Sequence, residues 1–225
     1  KESLANITTN ILDSDTKADI TLKEMKPASV NIDSKGITLE SLSKFAKQQE
    51  YAEGELVINA KIEGLDKNDT SGSVNISSEN INIPVKTQKE LMGFKDAKSD
   101  IQAKLTSKTE IAKNIANTDL LFASPLAEIK SKKITYDIGK SELDSEIDIH
   151  VPDLKKMAFI TGKELAGAID INNKIAMQEG EIAYKGYSKT LGGDVNINFA
   201  KERLKIDATN ILATELGKML QLGDL

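Results

Sequence analysis

A two-residue alternation of apolar and polar side chains runs through most of this chain, and it leaves few folds open. Leu56, Ile58, Ala60 and Ile62 alternate with Val57, Asn59, Lys61 and Glu63. Ile81, Ile83 and Val85 alternate with Asn82, Pro84 and Lys86, and Ile101, Ala103 and Leu105 alternate with Gln102 and Lys104. The same rhythm returns in Ile134, Tyr136 and Ile138, in Ile147, Ile149 and Val151, in Val195, Ile197 and Phe199, and in Leu204, Ile206 and Ala208. Successive side chains of a strand point to opposite faces, so each segment has one apolar and one wet face. Antiparallel sheets with a single covered side read this way.

Turn chemistry separates the segments at Ser34-Lys35-Gly36, Leu65-Asp66-Lys67-Asn68-Asp69, Gln178-Glu179-Gly180 and Gly192-Gly193. Short amphipathic helices are predicted over Glu40–Gln49, over Asp153–Ile160 with Asp153 as N-cap, and over Asn210–Gln221, with a single helical turn over Asp119–Ala123. The units repeat. Val30-Asn31-Ile32, Val74-Asn75-Ile76 and Val195-Asn196-Ile197 each open a predicted hairpin, answered by Ile37-Thr38-Leu39, Ile81-Asn82-Ile83 and Leu204-Lys205-Ile206. A second recurrence leads from Leu42-x-x-Phe45-Ala46 to Gly54-Glu55-Leu56-Val57-Ile58, and from Leu154-x-x-Met157-Ala158 to Gly167-Ala168-Ile169-Asp170-Ile171. Such self-similarity implies stacked units, none able to bury its apolar face alone. Residues 1–225 therefore read as one repetitive segment, with Asn114–Lys133 as the least regular stretch and a seam near 114–133.

Composition narrows the function. Thirty basic residues against 35 acidic ones, net charge −5, exclude the clustered positive excess that nucleic acid requires. There is no Cys, hence no disulfide, thiolate metal site or thiol nucleophile. Aromatic residues are only 4%, so the apolar mass is aliphatic. The start, Lys1-Glu2-Ser3-Leu4-Ala5-Asn6, has neither an initiator Met nor the apolar core of a signal peptide, and the chain reads as a piece of a longer one.

Motifs with chemistry are weak. His150 is the single histidine, in Asp144-Ser145-Glu146-Ile147-Asp148-Ile149-His150. Alternation puts 144, 146, 148 and 150 on one strand face, where a metal site competes with a plain solvated surface, and the plain surface is the expectation. Asp66–Gly72 is like a calcium loop, but its twelfth position is Ser77 where a bidentate Glu is needed. Thr161-Gly162-Lys163 lacks the first Gly and the Ser/Thr of a phosphate loop. No carboxylate pair stands out for glycoside hydrolysis. The expectation is a chain without catalytic residue, metal or cofactor.

Val151–Ile171 (an Asp-Leu opening to a short helix, a Gly, then an alternating strand) resembles the AsmA/TamB-like bacterial envelope family, with the AsmA-like subgroup favoured. Leu191-Gly192-Gly193-Asp194-Val195-Asn196-Ile197 through Asp207–Leu212 is similar to that family's repeat, as is Tyr51–Lys86. The resemblance covers roughly two-thirds of the chain. It implies a periplasmic, bridge-like phospholipid-transport segment supporting the outer membrane. The parent protein would be anchored in the inner membrane through a part absent here and would meet envelope protein partners.

The expected fold is mainly β: repeated antiparallel hairpins with short amphipathic helices forming a twisted half-open groove, or alternatively a β-sandwich or solenoid. The groove candidates are Leu56, Ile58, Ile62, Val74, Ile76, Ile81, Ile83, Ile101, Leu105, Ile134, Tyr136, Ile147, Ile149, Ile169, Ile171, Val195, Ile197, Leu204 and Ile206. Phospholipid acyl chains would lie along them, with head groups at the open edge near Lys61, Lys86 and Lys104. The alternative function is a structural spacer or adhesin-like module whose stripes close into a core. A β-helical glycan enzyme is the weakest reading.

Overall fold

Tight turns join consecutive strands here, and they dictate the order of the sheet. The structure, a computed structural model, describes residues 2–11, 14–65, 69–94, 97–157 and 164–220. The strands are β1 (Glu2–Ile11), β2 (Ser14–Lys23), β3 (Lys26–Thr38), β4 (Glu55–Glu63), β5 (Ser71–Ile83), β6 (Ile101–Ala112), β7 (Ile115–Ala123), β8 (Glu128–Asp137), β9 (Glu142–Val151), β10 (Ile169–Gln178), β11 (Glu181–Thr190), β12 (Gly193–Ala200) and β13 (Arg203–Thr209). They form one 13-stranded antiparallel meander in which every strand pairs with its sequence neighbours. The fold is therefore mainly β, built of repeated antiparallel hairpins with short helices. The sheet is open and uncurled: β1 pairs with β2, β13 pairs with β12, and the two do not meet. No second sheet faces it among the described residues, which sets aside the sandwich and solenoid alternatives.

A meander alternates its connections between two rims, and here the rims differ. On one lie the short links 24–25, 113–114, 138–141, 179–180 and 201–202 and the described ends, 64–65 and 69–70, of the β4–β5 connection. The other carries α1 (Leu39–Phe45), α2 (Val85–Glu90), a single 3-10 turn (Leu154–Met157) and α3 (Ala213–Leu220), together with the short links 124–127 and 191–192. Two-residue links have both central residues at positive φ, as in Lys113 (50°) and Asn114 (64°) or Lys201 (51°) and Glu202 (60°). That turn has the twist of the strands it joins. Thr38 caps α1 by accepting the Ser41 amide at 3.1 Å.

Several local expectations are corrected. Ser34-Lys35-Gly36 is not a turn: it lies inside β3, whose register shifts between Lys35 and Ile37, with Gly36 at φ +77°. Val30–Ile32 and Ile37–Leu39 are therefore not two arms of a hairpin; β3 holds the first and runs on through Ile37 to Thr38. Likewise Val74–Ile76 and Ile81–Ile83 share β5, bulged between Ser78 and Ile81. The third pair does form a hairpin, β12–β13. Asp119–Ala123 is strand, and Val85 and Lys86 open α2 instead of extending β5. The helices over Glu40–Gln49 and Asn210–Gln221 shorten to α1 and α3. Of Asp153–Ile160 only the 3-10 turn at Leu154–Met157 is described. Residues 66–68 and 158–163, which include most of the calcium-like loop's start and Thr161-Gly162-Lys163, lie outside the described residues. Asn114–Lys133 holds β7 and the start of β8, with a register shift between Asn117 and Leu121.

The bulges follow from parity. In β3 the apolar positions change from even (Val30, Ile32) to odd (Ile37), in β5 from even (Val74, Ile76) to odd (Ile81, Ile83), and in β8 from odd (Ile129) to even (Ile134, Tyr136). An inserted residue at each change keeps the apolar side chains on one face.

Candidate apolar binding face

Directly opposed residues of an antiparallel ladder share a face, so the register traces that face across the sheet. One row runs Ser34, Ile58, Ile76, Ser107 and Leu120, then Ser131, Ile147, Asn173, Gly186, Ile197 and Ile206. Leu56 lies opposite Ile37, Ile62 between Val30 and Gly72, and Val74 between Ala60 and Thr109. Ile81 meets Ala103, Ile83 meets Ile101, and Leu105 sits between Ser78 and Phe122. Ile134 opposes Ser145, Tyr136 lies between Ala116 and Leu143, Ile149 between Ile129 and Ile171, and Ile169 opposes Val151. Val195 lies between Ser188 and Ala208, and Leu204 opposes Phe199. All nineteen groove candidates thus occupy one face.

Among the described residues, that face is covered at one rim alone. Ile83 packs with Met92 and Leu126, joined by Ala52, Phe94, Ile101 and Met157. Val151 packs with Ala127 and Leu154, joined by Ile149, Leu165, Ile169 and Met219. The helix-bearing connections therefore fold over the strand ends on the apolar side. Among the candidates only Leu56, Ile81 and Ile83 are buried; Leu204 and Ile206 are 63% and 60% exposed, and the others are half-buried. Thirteen strands spaced at about 4.8 Å span roughly 58 Å. Such a face far exceeds the few hundred Å² of contiguous apolar surface that a monomer usually leaves in water.

Small polar groups cross the face and mostly satisfy one another. Thr16 and Ser34 hydroxyls lie 2.8 Å apart, and Thr109 and Thr118 hydroxyls 2.8 Å apart. Tyr184 donates its phenol to Asn173 at 2.6 Å, and burial holds that phenol above its ordinary pKa. The Asn173 amide donates to the Ile147 and Ile171 carbonyls, both at 3.2 Å. Among the described residues, the Ser78 and Ser188 hydroxyls are buried without a hydrogen-bond partner.

The opposite face is charged and wet. His150 Nδ1 lies 2.6 Å from Asp170, with the imidazole half exposed. Lys174 donates to Glu146 at 2.7 Å, which raises the lysine's pKa. Burial pushes Asp148 upward, but bonds from Asn172 and Lys132 outweigh it and hold the carboxyl below its ordinary value. The residues 144, 146, 148 and 150 thus share a solvated face, each beside a neighbour of complementary chemistry. Lys61 and Lys104 stand on this face, paired with Glu63 at 3.1 Å and Glu79 at 2.8 Å; Lys86 lies in α2, exposed, and not on a strand.

Sequence reading missed Ile20, Ile32, Phe122, Ile129, Ile175 and Tyr184, which the register adds to the apolar face. Alternation marks Leu120 and Phe122 once Asp119–Ala123 is read as strand. Ile175 is hidden because Asn173 takes an apolar position.

No family model, curated protein or solved structure matches this chain.

Proposed function

We propose that this chain is a phospholipid-binding segment whose open apolar face shields acyl chains from water, in an AsmA/TamB-like protein of the bacterial envelope. The observation that carries the reading is the broad, largely aliphatic face that, among the described residues, no second sheet covers and the helix-bearing connections cover only at one rim. A methylene removed from water gains about 0.8 kcal/mol, so roughly fifteen of them gain on the order of 12 kcal/mol, enough to offset much of the cost of leaving a bilayer. Aliphatic side chains suit cargo that offers few polar handles. The periplasmic setting, the inner-membrane anchor in another part of the parent chain and the envelope partners follow from the family resemblance and are part of the proposal. The role is binding, without a catalytic step. The alternative, a spacer or adhesin-like module with a closed core, would need a second layer over this face, and no second sheet faces it among the described residues.

Native mass spectrometry of the purified chain tests the reading, with co-purified phospholipid as the expected result. Ile58→Asp and Ile197→Asp should leave the delipidated chain folded, because both side chains are half-buried and reach water when the face is empty. Lipid occupancy should fall at least tenfold in both. Asn59→Asp, on the wet face of β4, should change neither property. Unfolding of both delipidated Ile variants would show a closed core and end the lipid reading.

A further inference from the structure

Charges on the wet face are matched across the strands, and the one mid-strand failure of that matching marks a place. The register sets Asp15 against Lys35, Lys17 against Asp33, Lys108 against Asp119, Lys133 against Glu146 and Lys189 against Asp194. Three described pairs oppose like charges. Lys23 with Lys26 and Asp137 with Glu142 flank turns, where the strands end. The third, Lys174 with Lys185, lies well inside β10 and β11, and like charges directly opposed destabilise a sheet.

Glu146, on the other side of Lys174, holds that lysine at 2.7 Å. Lys185 has no such partner. Strand β12 sets Asn198 beside it, and among the described residues its ammonium makes no ion pair or hydrogen bond. The side-chain amides of Asn198 and of Asn196, two residues back on the same face, are likewise unbonded among the described residues, although both residues are half-buried. These three side chains line one open depression of about 430 Å³, at the small end of the range for small-molecule sites. Its other polar walls are already satisfied. Asp148 accepts from Asn172 at 2.6 Å and pairs with Lys132 at 3.0 Å, while Tyr187 donates to Asp194 at 2.7 Å and adds the apolar surface of its ring. The bonding left over is one positive charge and two amides, each able to donate and to accept. That set matches a hydroxyl-rich molecule with one anionic group: hydroxyls exchange bonds with the amides, and the oxyanion takes the lysine.

We propose that the wet face of β9–β12 holds a binding site for an acidic saccharide, a sugar carrying a carboxylate or a phosphate, with Lys185, Asn196 and Asn198 as its contacts. The site lies on the opposite side of the sheet from the apolar candidates, so it stands whether or not that face binds lipid.

Glucuronate and glucose 6-phosphate are the probes, with glucose and inorganic phosphate as controls, read from the side-chain amide resonances of Asn196 and Asn198 in isotope-labelled protein. At least one acidic sugar should shift both resonances saturably, with a Kd of about 1 mM or tighter, and each control should bind at least tenfold more weakly. Lys185→Gln removes the charge and keeps a hydrogen-bonding side chain; it should weaken that binding at least tenfold with circular dichroism unchanged. Lys108→Gln, on the same face opposite Asp119, should leave binding as it was. Lys185→Gln should also raise the thermal midpoint of the ligand-free chain by about 1–2 °C, because it ends the repulsion from Lys174. Shifts that never saturate, a control that binds as tightly as the acidic sugar, binding that survives Lys185→Gln or falls equally in Lys108→Gln, or a midpoint that does not rise would each overturn the proposal.

Discussion

Two kinds of buried hydroxyl sit on the same apolar face, and they should respond oppositely to truncation. Ser34 is 1% exposed, and its hydroxyl lies 3.0 Å from that of Ser14 and 2.8 Å from that of Thr16. Removing it strands buried partners, so Ser34→Ala should cost about 1–2 kcal/mol. Ser78 and Ser188 have no partner to lose, and Ser78→Ala and Ser188→Ala should be neutral or stabilise by up to about 1 kcal/mol. Urea titration of the three variants measures both signs together; equal destabilisation would show that the two lone hydroxyls hold bonds of their own. None of this was legible in the sequence. A serine at an apolar position breaks the alternation whether it is bonded or not, and Ser34 beside Gly36 reads most simply as a turn.

At the level of the strand, alternation carried most of the information, and parity carried the rest. The nineteen candidates share a face because β-side chains repeat every two residues wherever the ladder runs unbroken. What escaped was the inserted residue: a change from even to odd marks either a turn or a bulge, and only pairing with the neighbouring strand tells which. The link 201–202 is strained in a readable way, since Lys201 and Glu202 both adopt a left-handed backbone that other residues tolerate better. Lys201→Asn with Glu202→Gly should therefore stabilise the β12–β13 hairpin by about 0.5–1 kcal/mol, read as a raised thermal midpoint. A lowered midpoint would mean that these side chains contribute more than their backbone geometry costs.

At the scale of the molecule, each described strand pairs only with the strands before and after it, so stability accumulates by neighbouring pairs as in repeat proteins. Unfolding should begin at an end. With no native tryptophan, Phe122→Trp in β7 and Phe199→Trp in β12 give local reports, and the β12 probe should lose its signal at lower urea. Coincident transitions would indicate a single cooperative unit. Because every described helix lies on one rim and the other rim carries only strand-to-strand links, the arrangement also imposes an arithmetic on how such a sheet can lengthen. Gaining or losing a hairpin, two strands at a time, leaves the helices where they were and the oily side facing the same way. Gaining one strand would carry every later helix to the opposite margin. A lineage of such sheets is therefore expected to differ in size by even numbers of strands, with the width of the oily surface as the trait that changes.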